Sequence, residues 1–335
     1  MDSPSLAEIK RHAASGDKAA MTALAKRFLL GQGGAPRDAA PLLSSAAAKG
    51  SGEAAGIIAV LIAIGARTAP DWTPALKYLQ QSAEAEWPEA QSQLRFLAQD
   101  RELAAAAERA DAPPDIWGRL RRNIEIENWI APAQNRMHSE RPHIRIFERF
   151  FSAAECRWMI ERARPRIVPA RVYDRATARS SLDPARSNSA AAFDIVETDV
   201  VLLLLRARIA ASVVISPPFL EETNILHYEV GQEFRRHFDF LDPAEGDMPR
   251  EIAAKGQRIS TFLVYLNDEF DGAETEFPAI DWRFKGAQGD ALFFRNVDAS
   301  GAPDRSTLHA GLAPTRGEKW LLSQWIRDRL PQPDR

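Results

Sequence analysis

The residues best suited to chemistry are His237 and Asp239, which flank Phe238 in the run Phe234-Arg235-Arg236-His237-Phe238-Asp239. The run reads as a strand, where side chains alternate, so the imidazole and the carboxylate face one way and Phe238 the other. Side by side they can bind one divalent metal, and a third ligand must come from elsewhere. The remaining histidines are His12, His138, His143, His227 and His309. His309 is best placed, because it lies in another late strand and is followed by Lys319 at the start of the last one. Two imidazoles and one carboxylate on one face of an iron(II) ion leave three positions open for oxygen chemistry. Taken alone the triplet carries little weight, since six histidines and 22 aspartates give about 0.4 such triplets by chance.

Strands must position these residues, and composition places them in the later part of the chain. The 335 residues are 45% hydrophobic and 27% charged, with a formal net charge of −3, the balance of a soluble globular chain of about two domains. Residues 1–110 hold 29 alanines but only two of the 16 phenylalanines, Phe28 and Phe96. Small-residue helix packing is therefore expected first and sheet afterwards. Ser152-Ala153-Ala154-Glu155 is a capping box that opens a helix to about Arg164. A second helix is expected over 198–211, with Asp199 near its start and Arg206 and Arg208 near its end, as the helix dipole prefers. Beyond it, short β-type runs are expected at 224–230, 234–241, 258–266, 273–277, 290–295, 307–312 and 319–327, separated by Gly, Pro and Asp. Many short strands of this kind point to a jelly-roll or barrel.

The first third repeats. Gly16-Asp17-Lys18-Ala19 recurs as Gly52-Glu53-Ala54-Ala55 and, more loosely, as Trp87-Pro88-Glu89-Ala90. Spacings in this range signal stacked supersecondary units. Two apolar helical patterns fall in the first repeat, 19–30 and 39–49, parted by Gly31-Gln32-Gly33-Gly34. The series Leu24, Phe28-Leu29, Gly31, Gly33, Asp38, Ala46-Ala47, Gly50 resembles the Sel1-like repeats, relatives of the tetratricopeptide family. Such units offer either a concave surface for a peptide or protein partner or a buttress for the second domain. The expected division is 1–110 helical repeats, 111–143 a helical, Pro-containing connector, and 144–330 the catalytic domain.

Other features narrow the setting. The apolar stretch Ala54 to Ala66 is well short of the roughly 20 residues of a membrane span and reads as a buried helix. Residues 1–110 carry 12 basic and 12 acidic side chains, so no nucleic-acid footprint is expected there. Cys156 is the only cysteine and cannot form a disulfide within the chain. Nothing in Met1-Asp2-Ser3-Pro4 resembles a secretory leader, so a cytoplasmic location without membrane attachment is expected.

Further motifs surround the triplet: Tyr228 to Asp239, Arg258-Ile259-Ser260-Thr261-Phe262-Leu263-Val264-Tyr265-Leu266-Asn267, Gly272-Ala273-Glu274-Thr275, Gly289 to Phe294, His309-Ala310-Gly311 and Gly317-Glu318-Lys319-Trp320. In order and spacing they resemble the prolyl 4-hydroxylase branch of 2-oxoglutarate/Fe(II) dioxygenases, from about Arg145 to Arg327. The resemblance implies a double-stranded β-helix in which His237, Asp239 and His309 bind Fe(II). It implies that Lys319 pairs with the distal carboxylate of 2-oxoglutarate, that Tyr228 and Thr261 hydrogen-bond that cosubstrate, and that Trp325 walls the same cavity. O2 is then the oxidant and ascorbate a possible reductant. Asp290, after Gly289, reads as a turn residue, and His227 as structural.

Substrate choice is less legible. The resemblance matches Tyr173 to Asn188 to a loop over peptide substrates, and its arginines Arg175, Arg179 and Arg186 would favour acidic flanking residues. Peptidyl proline is the first expectation. A free amino acid or small molecule is the alternative within enzymes, and a repeat scaffold with an oxygen- or 2-oxoglutarate-sensing domain is the alternative outside them.

Overall fold

The computed structural model describes residues 4–66, 70–174, 179–182 and 186–330, the segments within 171–182 by their backbone alone. Two compact units emerge, Met1–Ala131 with Asp194–Arg208, and Pro132–Phe193 with Ile209–Arg335. The boundary between the units falls at Ala131 and Pro132, inside the span expected as a connector, and a segment from far along the chain joins the first unit.

The first unit is a run of helices, Leu6–Ala14, Lys18–Leu29, Ala39–Ala48, Gly52–Ala63, Trp72–Glu84 and Pro88–Leu97, each packed on the next. The repeat has a local cause. Gly16 (φ 91°) and Gly50 (φ 79°) turn the chain out of one helix in the left-handed region, and the next residue, Asp17 or Ser51, caps the following helix by accepting from the backbone N–H of Ala20 or Ala54. The equivalent positions are therefore Gly16-Asp17 and Gly50-Ser51, two residues earlier than the Gly52 match suggests. In the third repeat Glu86 (φ 60°) takes the glycine's place and Trp87 gives no side-chain cap, which is why that repeat reads poorly. Gly52 serves packing instead, since a Cβ there would lie 2.6 Å from Trp87 Cβ. The apolar stretch is a buried helix as expected, and no helix among the described residues is long and apolar enough to cross a membrane. In the segment from Asp194, the Val200 N–H donates to Gln93 Oε1 at 2.9 Å, and Val200, Val201, Leu204 and Leu205 are fully buried.

The second unit is antiparallel sheet. Its eight-stranded sheet runs in the order Arg136–Ser139, Ile144–Phe147, Ala291–Arg295, Arg258–Tyr265, Lys319–Arg327, Thr223–Tyr228, Ser189–Phe193 and Val168–Pro169. A four-stranded sheet follows the order Trp282–Phe284, Thr275–Phe277, His309–Gly311 and Phe234–His237. This is the expected jelly-roll, and the phenylalanines account for its core. Phe147, Phe262, Phe277 and Phe294 are fully buried, with Phe147 and Phe262 ring centroids 5.2 Å apart. The capping box is present, with Ser152 accepting from the Glu155 N–H at the head of Ala153–Ala163.

Candidate active site

His237 ends its strand, and His309 begins the neighbouring one directly opposite. Asp239 lies past the strand end rather than within it, yet its carboxylate reaches both rings. Oδ1 is 3.6 Å from His237 Nε2, and Oδ2 is 3.6 Å from His309 Nε2. The three ligand atoms lie within 4.8 Å of one another. The rings are also aimed. His237 Nδ1–H donates to the Arg235 carbonyl at 2.8 Å and His309 Nδ1–H to the Thr307 carbonyl at 3.0 Å, so both Nε2 lone pairs face Asp239.

The charges suit a divalent ion. Burial, reinforced by His237, pushes the His309 imidazole down to about 4, so it is neutral at physiological pH and its lone pair is free. Burial works against the Asp239 carboxylate, but His309, His237 and the Thr261 hydroxyl outweigh it and hold the carboxyl below the usual range. Two imidazoles and one ionised carboxylate on one face are the donor set Fe(II) takes.

A pocket opens beside this cluster. Its wall includes Tyr228, Leu226, Leu263, Leu321, Ser323 and Trp325. Lys319 belongs to the same face of the last strand as Leu321, Ser323 and Trp325, and lies opposite Tyr228. It is wholly buried. Its ammonium donates to the Ala273 carbonyl at 2.7 Å and stands 4.7 Å from the Tyr265 ring and 5.5 Å from that of Tyr228. Among the described residues no carboxylate forms an ion pair with it. Burial pushes Lys319 down to about 7, against the pull of Glu274, and raises Tyr228 to about 12.

Thr261 and Trp325 make contacts that the sequence does not show. Thr261 is fully buried, and its hydroxyl donates to Asp239 Oδ2 at 2.6 Å. Trp325 does line the pocket. The Arg258 guanidinium lies 3.7 Å above its ring, and its buried Nε1 has no partner among the described residues.

Arg186 reaches the pocket wall, its guanidinium 4.7 Å from the Phe234 ring, which stacks at 3.5 Å on His237. Arg175 lies outside the described residues, and of Arg179 only the backbone, in the strand Arg179–Leu182, is described. Three histidines are accounted for elsewhere: His227 pairs with Glu318 at 2.7 Å, His138 stacks on Trp282 and His143 accepts from Arg145. Asp290 is a turn residue, accepting from the Arg149 and Ala287 N–H groups. Thr275 and Asn296 went unassigned in the sequence. Thr275 lines the pocket with its hydroxyl 2.8 Å from that of Tyr265, and only strand alternation in Thr275–Phe277 could have pointed to it.

Comparison with known proteins agrees with this geometry. The 2OG-Fe(II) oxygenase superfamily profile matches residues 223–327. A probable prolyl 4-hydroxylase of Arabidopsis thaliana is 32% identical over 208 residues, spanning 57% of this chain and 70% of that protein. The solved viral collagen prolyl hydroxylase of Paramecium Bursaria Chlorella virus-1 shares 25% identity, with a TM-score of 0.43 over 55% of this chain and 95% of its own. A Sel1 repeat protein of Oxalobacter formigenes is 27% identical, with a TM-score of 0.28 over 35% of this chain and 97% of its own. The superfamily match encloses His237, Asp239, His309 and Lys319, and the identity extends over 70% of a prolyl 4-hydroxylase, so the chain belongs to the prolyl 4-hydroxylase family of 2-oxoglutarate- and Fe(II)-dependent dioxygenases.

Proposed function

We propose that the chain hydroxylates proline in a peptide or protein. Fe(II) is held by His237 Nε2, Asp239 and His309 Nε2, and the distal carboxylate of 2-oxoglutarate is received by Lys319. The observation that carries this reading is the pairing of a His-Asp-His cluster with a buried ammonium on one pocket-facing strand face. When bound, the iron and 2-oxoglutarate together let O2 oxidise a C–H bond, with succinate and carbon dioxide as co-products.

The chain's own residues prepare that chemistry. Arg235 and Thr307 carbonyls fix the histidine tautomers, and Thr261 anchors the carboxylate. Lys319 offers a desolvated ammonium to a ligand carboxylate that would otherwise lose its hydration without compensation. Leu226, Leu263 and Leu321 give the pocket beside the cluster an apolar wall. Arg186 at the pocket wall favours a peptide with an acidic residue near the proline. The helical repeats, by their stacked architecture, serve to hold more of the peptide. Cys156, buried with its thiol pushed up to about 12, is inert and fits a cytoplasmic setting.

The test is turnover by the full chain with Fe(II), 2-oxoglutarate, ascorbate and air on proline peptides with acidic or neutral neighbours. Succinate should form in equal amount with peptide bearing one added oxygen on proline, and both should vanish in His237→Ala. Oxidation of a free amino acid with no peptide modified would overturn the peptidyl assignment. Succinate formation alone would favour the sensing scaffold.

A further inference from the structure

Asn296 follows the strand Ala291–Arg295 and is fully buried. Its backbone is pinned on both sides, with its N–H donating to the Ile259 carbonyl at 2.8 Å and its carbonyl accepting from the Asp304 N–H at 3.0 Å. The side-chain Nδ2 donates to Thr261 Oγ1 at 3.0 Å, and Thr261 donates onward to Asp239 Oδ2 at 2.6 Å. The direction of this chain follows from the donor inventory. An ionised carboxylate only accepts, so the single Thr261 proton points at Asp239, and the hydroxyl oxygen is left to accept from the NH2 end of Asn296.

The other end of the amide has no such partner. Asn296 Oδ1 is buried and without a hydrogen bond among the described residues. An orphaned buried carbonyl destabilises the fold, whereas an apolar side chain of similar size would not. Packing therefore does not account for an asparagine here, but its donated hydrogen bond does.

We propose that Asn296 is a positioning residue for the metal centre. By donating to Thr261 it locks the hydroxyl proton onto Asp239 Oδ2. It thereby fixes the rotation of the carboxylate, with Oδ1 turned to His237 and Oδ2 to His309. The proposal rests on the metal-centre reading above, and deepens it by one shell.

Anaerobic Fe(II) titration of the full chain, with Co(II) as a spectroscopic probe, tests it. Asn296→Leu should keep or raise the melting temperature of the metal-free protein while weakening metal binding about tenfold. Asn296→Asp reverses the donor direction, drawing the Thr261 proton away from Asp239, and should weaken binding further. The double variant Asn296→Leu/Thr261→Val should bind metal no worse than Thr261→Val alone, because the first residue acts through the second. Wild-type affinity and an unchanged Co(II) spectrum in Asn296→Leu would overturn the proposal. Should the Asn296 variants not fold, wild-type affinity in Thr261→Val overturns it equally. Undiminished binding in His237→Ala would instead remove the metal centre itself, and the proposal with it.

Discussion

Lys319 and Tyr228 stand directly opposite each other in the pairing of the last strand with Thr223–Tyr228, the ammonium 5.5 Å from the ring centroid and wholly buried. The consequence is a pH dependence with a definite sign. In the folded chain burial pushes Lys319 down to about 7, while in the unfolded chain it holds its proton up to the ordinary 10.5. The unfolded state thus binds more protons between those values, and ligand-free stability should rise with pH from about 7 toward 10.5 and be flat below 7. A carboxylate placed beside the ammonium keeps it charged, so 2-oxoglutarate binding above pH 7 should take up a proton. Calorimetry in buffers of different ionisation enthalpy reads that uptake. Lys319→Met should abolish both effects and weaken 2-oxoglutarate binding by 100-fold or more, given about 3–5 kcal/mol for leaving one partner of a buried pair unmatched. Proton uptake that persists in Lys319→Met would show that another group titrates.

Gly311 is placed to test Tyr228 from the other side. A Cβ at Gly311 would lie 3.1 Å from the Tyr228 hydroxyl and 3.5 Å from Cζ, so an alanine must push the ring by a few tenths of an ångström. Gly311→Ala should therefore raise KM for 2-oxoglutarate while leaving metal affinity near wild type, because His309, two residues back, keeps its Nδ1 bond to Thr307. Equal loss of metal and 2-oxoglutarate binding would mean that the whole strand has moved.

The legible part of the site is the part carried by short sequence spacing. His237 and Asp239, the strand Lys319–Arg327, and the capped helix Ala153–Ala163 all appear where local pattern puts them. Asp239 reaches the cluster even though the strand ends at His237, so alternation alone does not explain its placement. The hydrogen bond from Thr261 to Asp239 is not legible locally, because a buried hydroxyl has one proton, and which acceptor takes it depends on Asn296, 35 residues away. Arg136–Ser139, inside the proline-punctuated stretch, and Ile144–Phe147, just past it, carry no local strand signal. Each is four residues long, and the partner of the second, Ala291–Arg295, arrives only late in the chain. Local pattern carries no record of such partners.

The stack of Arg186 on Phe234, and of Phe234 on His237, sets up a specificity test. Arg186→Glu should raise KM about tenfold, roughly 1.4 kcal/mol, for a peptide with an acidic residue beside the proline, and much less for a neutral peptide. Raising the salt concentration should narrow the difference between the two peptides in the wild-type chain, as screening predicts. An equal change for both peptides would assign Arg186 to holding Phe234 and His237 rather than to reading charge.

The segment Asp194–Arg208 decides how the chain can be cut. It lies within the sequence span expected for the oxygenase domain, yet belongs to the compact unit of Met1–Ala131, where Val200 bonds to Gln93. A fragment starting at Pro132 keeps His237, Asp239 and His309 but strips the segment of the unit it packs in. Val200, Val201, Leu204 and Leu205 are fully buried in the intact chain. Each buried side chain of this kind contributes about 1.5–3 kcal/mol, so exposing the four removes a large part of the about 5–15 kcal/mol that stabilises a typical domain. The fragment should melt well below the full chain or self-associate through the bared helix, with size-exclusion chromatography and thermal unfolding as the measurements. A monomeric fragment with the melting temperature of the full chain would show that residues 194–208 find equivalent burial without the first unit.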